Sequence, residues 1–248
     1  MLNKGEFRDA LKMRYGLHIE GLPSRCGCGM QNSFGHAMTC SKGGYRCLFH
    51  NEVRDLLTVL CKDAGFKDVE KEPGLQPLQG ECLSFFREAK IEDEAHPDLR
   101  VRSFWRAWRN TYFDVTTFSP FAPSYENMSL PSLFKQAERR KIRAFSERIL
   151  HVEHGDFTPF VVSVSGGLGH QAAETIKRIV ARLAERQDLP RSLVMGRVRI
   201  RLSFAILRST LVMLRGSRAF RPNEGESIER AVAASRADTV EADDCSGL

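Results

Sequence analysis

The feature that most constrains the fold is an apolar, β-branched run at residues 157–164, which follows a long basic helical pattern at residues 133–152. Three β-type segments precede that helix, at residues 67–78, 96–104 and 111–118, and loop-like connections join them. Strands joined without a helix pair antiparallel, whereas a strand reached through a helix can pair in parallel. The order therefore predicts an α/β (α+β) fold with a mixed sheet of about four strands flanked by helices.

Further helices are expected from apolar spacing at residues 7–15 and 50–64, after the SGGLG turn as far as Arg186, and at residues 195–215. The first helix has no earlier segment to pack against, which suggests that the chain is a piece of a longer protein. These patterns divide the chain into an N-terminal helix (1–20), a Gly- and Cys-rich segment (21–48), a main domain (49–218) and an acidic tail predicted to be disordered (219–248).

The balance of charge favours an acidic partner. The chain carries 37 Lys and Arg against 31 Asp and Glu, a formal net charge of +6. Nucleic acid is the first expectation and an anionic membrane surface the second, while a solvated basic surface is the plain alternative. No apolar signal segment opens the sequence, and the stretch at 202–214 is short and interrupted by Arg208, so no membrane span is predicted. We expect a nuclear or intracellular location.

A cluster of cysteines with one histidine lies in CGCGMQNSFGHAMTC, and its candidate zinc ligands are Cys26, Cys28, His36 and Cys40. Four such ligands close in sequence suit tetrahedral zinc, which a loop-rich segment needs in place of an apolar core. Because all four positions are filled by protein, the role would be structural. Ordinary reduced cysteines are the alternative, and Cys47 or His50 could replace one of the four.

Two aspartates, Asp98 in HPDLRV and Asp114 in YFDVTT, are placed on adjacent predicted strands. Side chains on neighbouring antiparallel strands lie about 5 Å apart, so the two carboxylates could share Mg²⁺ or Mn²⁺. Phe113 and Val115 should point to the face opposite Asp114. Glu52 and Glu72 are candidates for a third acid. Surface or core acids without metal are the alternative for each of these positions.

Basic residues crowd the long helix and recur near the C-terminus, and two tryptophans and a tyrosine lie among arginines around residues 100–112. Such groups could bind phosphates and grip an unpaired strand by stacking, although at least one tryptophan is expected in the core. The residues concerned are Arg139, Arg140, Lys141, Arg143, Arg148, Arg197, Arg199, Arg201, Trp105, Trp108 and Tyr112. SGGLG lacks the features of a phosphate-binding loop and is interpreted as a tight turn from strand to helix.

Taken together, PD in HPDL and the Asp of FDV resemble the PD-(D/E)XK nuclease signature. The Cys-His knuckle that runs into GGYRCLFHNEVRD resembles the C-terminal region of non-LTR retrotransposon polyproteins with a restriction-like endonuclease. The blocks EPGLQPL, YFDVTTFSPFAPS, HVEHGDFTPFVVSVSGGLG and LRGSR are similar to such elements as well, and the resemblance covers nearly residues 7–218. It implies a zinc knuckle followed by a domain that nicks DNA at an insertion site to prime reverse transcription.

The resemblance also implies roles for single residues. Asp98 and Asp114 match the metal-binding acids of the signature. Its lysine would fall at position 116, where this sequence has Thr116. In similar nucleases the lysine can come from the following helix, so Lys141 is expected to take its place, with Lys135 as the second choice. The resemblance leaves two functions open: a DNA endonuclease, and a catalytically inactive module that binds DNA or RNA. An unrelated zinc-dependent interaction protein is the third alternative.

Overall fold

The computed structural model describes residues 2–76 and 96–216. Within these ranges the chain forms six α-helices and four strands. The helices are α1 (Lys4–Arg14), α2 (Phe34–Thr39), α3 (Tyr45–Asp63), α4 (Leu130–His151), α5 (His170–Gln187) and α6 (Arg191–Arg215). The strands are β1 (Lys67–Lys71), β2 (Leu99–Arg102), β3 (Asn110–Phe118) and β4 (Asp156–Ser163), and a short 3-10 turn spans Pro123–Tyr125.

The strands form one mixed sheet in the order β1-β2-β3-β4. β1 pairs antiparallel with β2, and β2 pairs antiparallel with β3. β3 and β4 are parallel, with α4 as the crossover between them. This is the meander and helical crossover that the order of patterns predicts, so the expected α/β class is confirmed. The antiparallel register pairs Leu99 with Phe113, which brings Asp98 opposite Asp114 at the end of β2.

β3 presents its side chains alternately to two layers of helices. Phe113 and Val115 belong to the main core, which includes residues of α3, α5 and α6. Tyr112 belongs to a smaller cluster with Phe145 and Ile149 of α4. Asp114 shares the face of Tyr112, so it points away from the main core and towards α4. The predicted division of this strand between the two faces is therefore confirmed.

The first helix is not without a partner. α1 packs against α6, and the buried Asp9 carboxylate of α1 binds the guanidinium of Arg215 at the end of α6. Asn3 caps the start of α1 by accepting a hydrogen bond from the Glu6 backbone N–H, while the Glu6 carboxylate accepts one from Asn3. The expectation of a helix with nothing to pack against is wrong because its partner comes from the far end of the sequence.

The turn after β4 is structural, as predicted. Gly166 has a φ of 89°, a left-handed conformation that glycine adopts without strain. The Ser163 side-chain oxygen accepts a hydrogen bond from the Gly167 backbone N–H. The N-terminus of α5 has a protein partner: the Glu138 carboxylate of α4 accepts a hydrogen bond from the Gln171 N–H. A carboxylate at a helix N-terminus is the favourable arrangement.

Some predictions fall outside the described residues. The loop expected at 79–94 and the disordered tail expected at 219–248 both lie there, as do the last two residues of the strand predicted at 67–78. Among the described residues, no helix is both long enough and apolar enough to cross a membrane.

Candidate metal centres

The knuckle begins with a small hairpin that brings its first two cysteines to the ligand cluster. The Cys26 N–H donates to the Met30 carbonyl, and the Gly29 N–H donates to the Cys26 carbonyl. Gly29 has a φ of 92°, so the turn requires glycine there. His36 lies on α2 and Cys40 caps the end of that helix. Cys40 follows His36 by four positions, which places both on one side of the helix.

The four side chains converge as the sequence predicts. The ligand atoms of Cys26, Cys28, His36 and Cys40 all lie within 4.8 Å of one another. The sulfurs of Cys26 and Cys40 are 3.7 Å apart, and the Cys28 sulfur lies 3.3 Å from Nε2 of His36. Zn–S and Zn–N bonds of about 2.3 and 2.0 Å in a tetrahedron separate two sulfurs by about 3.8 Å and sulfur from nitrogen by about 3.5 Å. The cluster therefore fits a zinc ion.

The thiols of this cluster differ in acidity. Burial raises the pKa of Cys26, but hydrogen bonds from the Cys28 backbone and from His36 outweigh it and lower the pKa to about 6. Burial raises the pKa of Cys40, and its sulfur contacts with Cys26 and Cys28 raise it further. A thiolate is the form that binds zinc, so the cluster already favours one ligand in its binding form.

The two alternative zinc ligands are placed elsewhere. Cys47 is exposed on α3 and is not part of the converging group. His50 turns towards Asp98. Cys61 is fully buried in the main core, and burial raises the pKa of its thiol strongly. It packs as a small apolar side chain.

The second centre is built around Asp114. Its side chain is only 5% exposed, and Nζ of Lys141 lies 3.1 Å from both carboxylate oxygens. The Thr116 hydroxyl donates to Oδ2 at 3.1 Å. Lys141 reaches the carboxylate from α4, which crosses this face of the sheet. The structure thus brings Lys141 to Asp114, where position 116 offers a hydroxyl in place of an ammonium.

Asp98 lies just before β2, beside Asp114. Its Oδ2 accepts a hydrogen bond of 2.6 Å from the Val115 backbone N–H, and its Oδ1 lies 2.7 Å from Nε2 of His50. The two contacts fix the carboxylate from β3 on one side and from α3 on the other. Sequence reasoning considered His50 only as a substitute zinc ligand. The signal it overlooked is that His50 and Arg54 are four residues apart on α3, on the side that faces the strands.

Burial is the largest influence on the pKa of Asp114 and raises it. The Lys141 ammonium opposes that rise, whereas the negative charge of the nearby Asp98 adds to it, and the net direction is upward. A positive charge near this carboxylate favours its ionised form, and Lys141 supplies one. Carboxylate oxygens are the type of donor that Mg²⁺ and Mn²⁺ commonly bind in proteins.

The two candidates for a third acid have different surroundings. Glu72 follows β1, and its backbone N–H donates to the Asp98 carbonyl, but its carboxylate binds the Arg54 guanidinium at 2.6 Å. Glu52 is exposed on α3 and forms no hydrogen bond or ion pair with the described residues. Neither carboxylate joins a converging metal group within residues 2–76 and 96–216.

The aromatic residues near the hairpin are divided between core and surface. Tyr112 is buried, and Trp105 packs against the main core and donates its indole N–H to the Thr158 hydroxyl at 2.9 Å. Trp108 is 83% exposed. The Arg102 guanidinium lies over its ring, with Cζ 5.8 Å from the ring centroid. The expectation that at least one tryptophan is core is met only in part, because Trp105 is half-buried against the core, and Trp108 is the exposed ring of this group.

The basic side chains of α4 form a surface beside Asp114. Arg139, Arg140 and Arg143 line a groove of about 1010 Å³ together with Thr116 and Lys135. Lys135, the second choice for the missing lysine, thus lies in the groove, and Lys141 is the lysine that binds Asp114. The second group of basic residues, Arg197, Arg199 and Arg201, lies on α6. Arg201 forms an ion pair with Asp63 at 3.0 Å.

No protein-family model matches this chain, and no curated protein matches it significantly. The chemistry of the two centres is therefore the basis on which a function can be argued.

Proposed function

We propose that this chain is a metal-dependent DNA endonuclease domain with a structural zinc knuckle, of the type that follows the reverse transcriptase in non-LTR retrotransposon polyproteins. The observation that carries the proposal is the arrangement around Asp114. The Asp98 carboxylate, just before β2, lies beside that of Asp114 on β3, and Nζ of Lys141 lies 3.1 Å from the Asp114 carboxylate. In metal-dependent phosphodiester hydrolysis, acids bind the divalent cation, and a nearby lysine can stabilise the charge of the phosphate.

In the proposed site Asp98 and Asp114 would hold Mg²⁺ or Mn²⁺ through their oxygens. The cation would supply an activated water and stabilise charge on the phosphate. Lys141 would place a positive charge next to the scissile phosphate. The hydrogen bonds from His50 and the Val115 N–H would keep the Asp98 carboxylate in one orientation, since the donors that fix a ligand carboxylate tune its geometry.

The surroundings of the site suit a nucleic acid. The groove beside Thr116 is walled by cations of α4, and such residues bind phosphates with an affinity that depends on salt. The knuckle lies between α1 and α3 in the sequence and would give a loop-rich segment its stability through zinc. In the type of element proposed, the nick releases a 3′ end that primes reverse transcription at the insertion site.

A second candidate is a catalytically inactive module from the same kind of element that binds DNA or RNA. One observation favours it: Lys141 and Thr116 already satisfy the Asp114 carboxylate, and position 116 lacks the lysine of the signature. A buried acid that is paired in this way could be structural.

Nicking of supercoiled plasmid separates the two candidates. Zinc-loaded protein is incubated with plasmid and 5–10 mM Mg²⁺ or Mn²⁺, roughly the excess a weak oxygen-ligand site requires. We expect open-circular product from the wild type and a loss of about 10²-fold or more in Asp114→Asn and Lys141→Met. Glu185→Gln, an exposed residue of α5 70% open to solvent, is the matched control and should nick normally.

Each variant is first checked for zinc content and for an unfolding transition. If the wild type binds DNA but produces no metal-dependent nick, the inactive module is the correct function. If neither DNA nor RNA binds at low salt, both candidates are excluded, and a zinc-dependent interaction protein remains.

A further inference from the structure

The groove beside Asp114 has an apolar and aromatic floor. It lies between α4 and the segment after β3, has a volume of about 1010 Å³, and is lined by Phe118, Tyr125 and Leu133 among others. Thr116 lines it too, and the Thr116 hydroxyl donates to the Asp114 carboxylate at 3.1 Å. The groove therefore begins at the proposed metal site and leads away from it along the helix.

The walls of this groove carry positively charged side chains of α4 that have no acidic partner among the described residues. Lys135, Arg139 and Arg143 are spaced by four residues on α4, so they lie in a row about 6 Å apart along the axis. Within the described residues, the side chains of these three and of Arg140 form no ion pair or hydrogen bond. Like charges four residues apart destabilise a helix. An anionic ligand with repeated charges would relieve this repulsion.

The floor offers aromatic rings to that ligand. Phe118 and Tyr125 meet edge to face, with centroids 6.2 Å apart and planes at 85°, and Phe118 meets Phe134 in the same way at 5.1 Å. Tyr125 and Phe118 are partly exposed. Phosphates alone would not use these rings. In an intact duplex the bases are stacked on each other and cannot reach them, whereas an unpaired base presents its face to an aromatic side chain.

We propose that this groove binds an unpaired stretch of DNA next to the site of cleavage, with a base against Tyr125 and Phe118 and successive phosphates along Lys135, Arg139 and Arg143. The inference rests on the proposed function, which makes a DNA strand the substrate, and it adds the form of that substrate. Cleavage is directed to the boundary between paired and unpaired DNA, where one strand can leave the duplex and enter the groove.

Fluorescence anisotropy without added divalent metal tests the groove separately from cleavage. Zinc-loaded protein is titrated with a labelled 24-base-pair duplex, with the same duplex carrying a central bubble, and with the single strand. The lengths are chosen to span roughly two turns of DNA. We expect the bubble and the single strand to bind about tenfold more tightly than the duplex, the effect of one stacked base. Tyr125→Ala should remove that preference and leave duplex binding unchanged.

Matched variants identify the contribution of each part. Tyr125→Phe keeps the ring and should keep the preference. Arg139→Ala with Arg143→Ala should weaken binding to all three DNAs and reduce the dependence of affinity on salt, since two phosphate contacts are lost. A 2-aminopurine base in the bubble should be quenched by the wild type and by Tyr125→Phe, and not by Tyr125→Ala.

The outcomes distinguish this inference from the proposed function. Plasmid nicking with equal affinity for bubble and duplex, or a preference that survives Tyr125→Ala, would overturn the inference and leave the nuclease intact. A preference that depends on Tyr125 in a protein that never nicks would support the groove and remove the nuclease. Binding to vesicles with anionic lipid headgroups, with no binding to any DNA, would assign the floor to acyl chains and overturn both.

Discussion

The two candidate metal centres of this chain are built in opposite ways. The four ligands of the knuckle come from fifteen consecutive residues, Cys26 to Cys40, and converge around a hairpin and one short helix. The centre at Asp114 combines β2, β3, α3 and α4, and its lysine is 27 residues away from the aspartate in sequence. Soft sulfur and nitrogen donors define the first, and hard oxygen donors define the second.

This difference determines what each centre does for the protein. We expect the knuckle to depend on zinc, because few side chains of residues 21–44 are buried and zinc would supply the missing cohesion. The Asp114 centre depends on the fold, because the sheet and α4 that carry its groups are held together by buried apolar side chains. Removal of a ligand should therefore unfold the first centre and leave the second folded but inactive.

Loss of a zinc ligand should have the largest effect. Cys28→Ser removes one of the four ligands, and zinc binding contributes on the order of 10 kcal/mol in small zinc-dependent domains. We expect less than one zinc per chain by mass spectrometry of metals and rapid proteolysis within residues 21–44. Cys47→Ser, which changes an exposed cysteine outside the cluster, should keep one zinc per chain. Full zinc content in Cys28→Ser would show that Cys28 is not a ligand.

Removal of Lys141 should have the next largest effect. Lys141→Met leaves the Asp114 carboxylate buried without its positive partner, and breaking a buried pair in this way costs roughly 3 kcal/mol. Asp114→Asn should cost less, because Lys141 is 26% exposed and can reach water. The double variant should be more stable than Lys141→Met alone. Denaturant unfolding of the four proteins measures the coupling, and additive effects would mean that the two groups do not interact.

The contact between His50 and Asp98 should contribute less. His50→Ala removes one hydrogen bond to a carboxylate that keeps its second donor, so we expect a loss of about 1 kcal/mol in stability. Glu52→Ala, on the same helix but exposed, should change stability by less than about 0.5 kcal/mol. Equal effects of the two substitutions in urea unfolding would show that His50 does not hold Asp98 in solution.

The pH dependence of Asp114 is the most subtle of these effects. Because its pKa in the folded protein is raised above the usual 3.8, folding favours the protonated form. Its contribution to stability is thus fully present below pH 3.8 and is lost as pH rises through the folded pKa. Relative to Asp114→Asn, the wild type should become less stable across that range without added divalent metal. If the difference in stability between the two proteins does not change with pH, or if the wild type gains stability as pH rises, the upward shift of the pKa is contradicted.

The sequence was sufficient for the fold class and for the knuckle. The strand order and the parallel crossover follow from one buried run after a long helix, and the zinc ligands are adjacent in sequence. The partner of α1 could not be predicted, since Asp9 and Arg215 lie at opposite ends of the described chain. The contact of His50 with Asp98 was not predicted for the same reason: it spans 48 residues and depends on how α3 crosses the sheet.

The Asp114 centre was predicted in part. The aspartates could be placed on adjacent strands from their patterns, and the resemblance led us to expect a lysine from the following helix, Lys141 first and Lys135 second. Which of them meets Asp114 depends on the rotation of α4 against β3 and β4, and that rotation is set by Phe145 and Ile149 packing on the sheet. The aromatic floor of the groove was missed because Phe118 and Tyr125 come together only through the fold.

Anomalous diffraction from crystals of the zinc-loaded protein soaked in Mn²⁺ is the most direct test of the two proposed metal sites. Data collected at the zinc and manganese edges locate each metal independently. We predict zinc among Cys26, Cys28, His36 and Cys40, and manganese between Asp98 and Asp114, with Lys141 moved off the carboxylate oxygen that binds the metal. Zinc in the knuckle with no manganese between the aspartates, and Lys141 still bound to Asp114, would contradict the account.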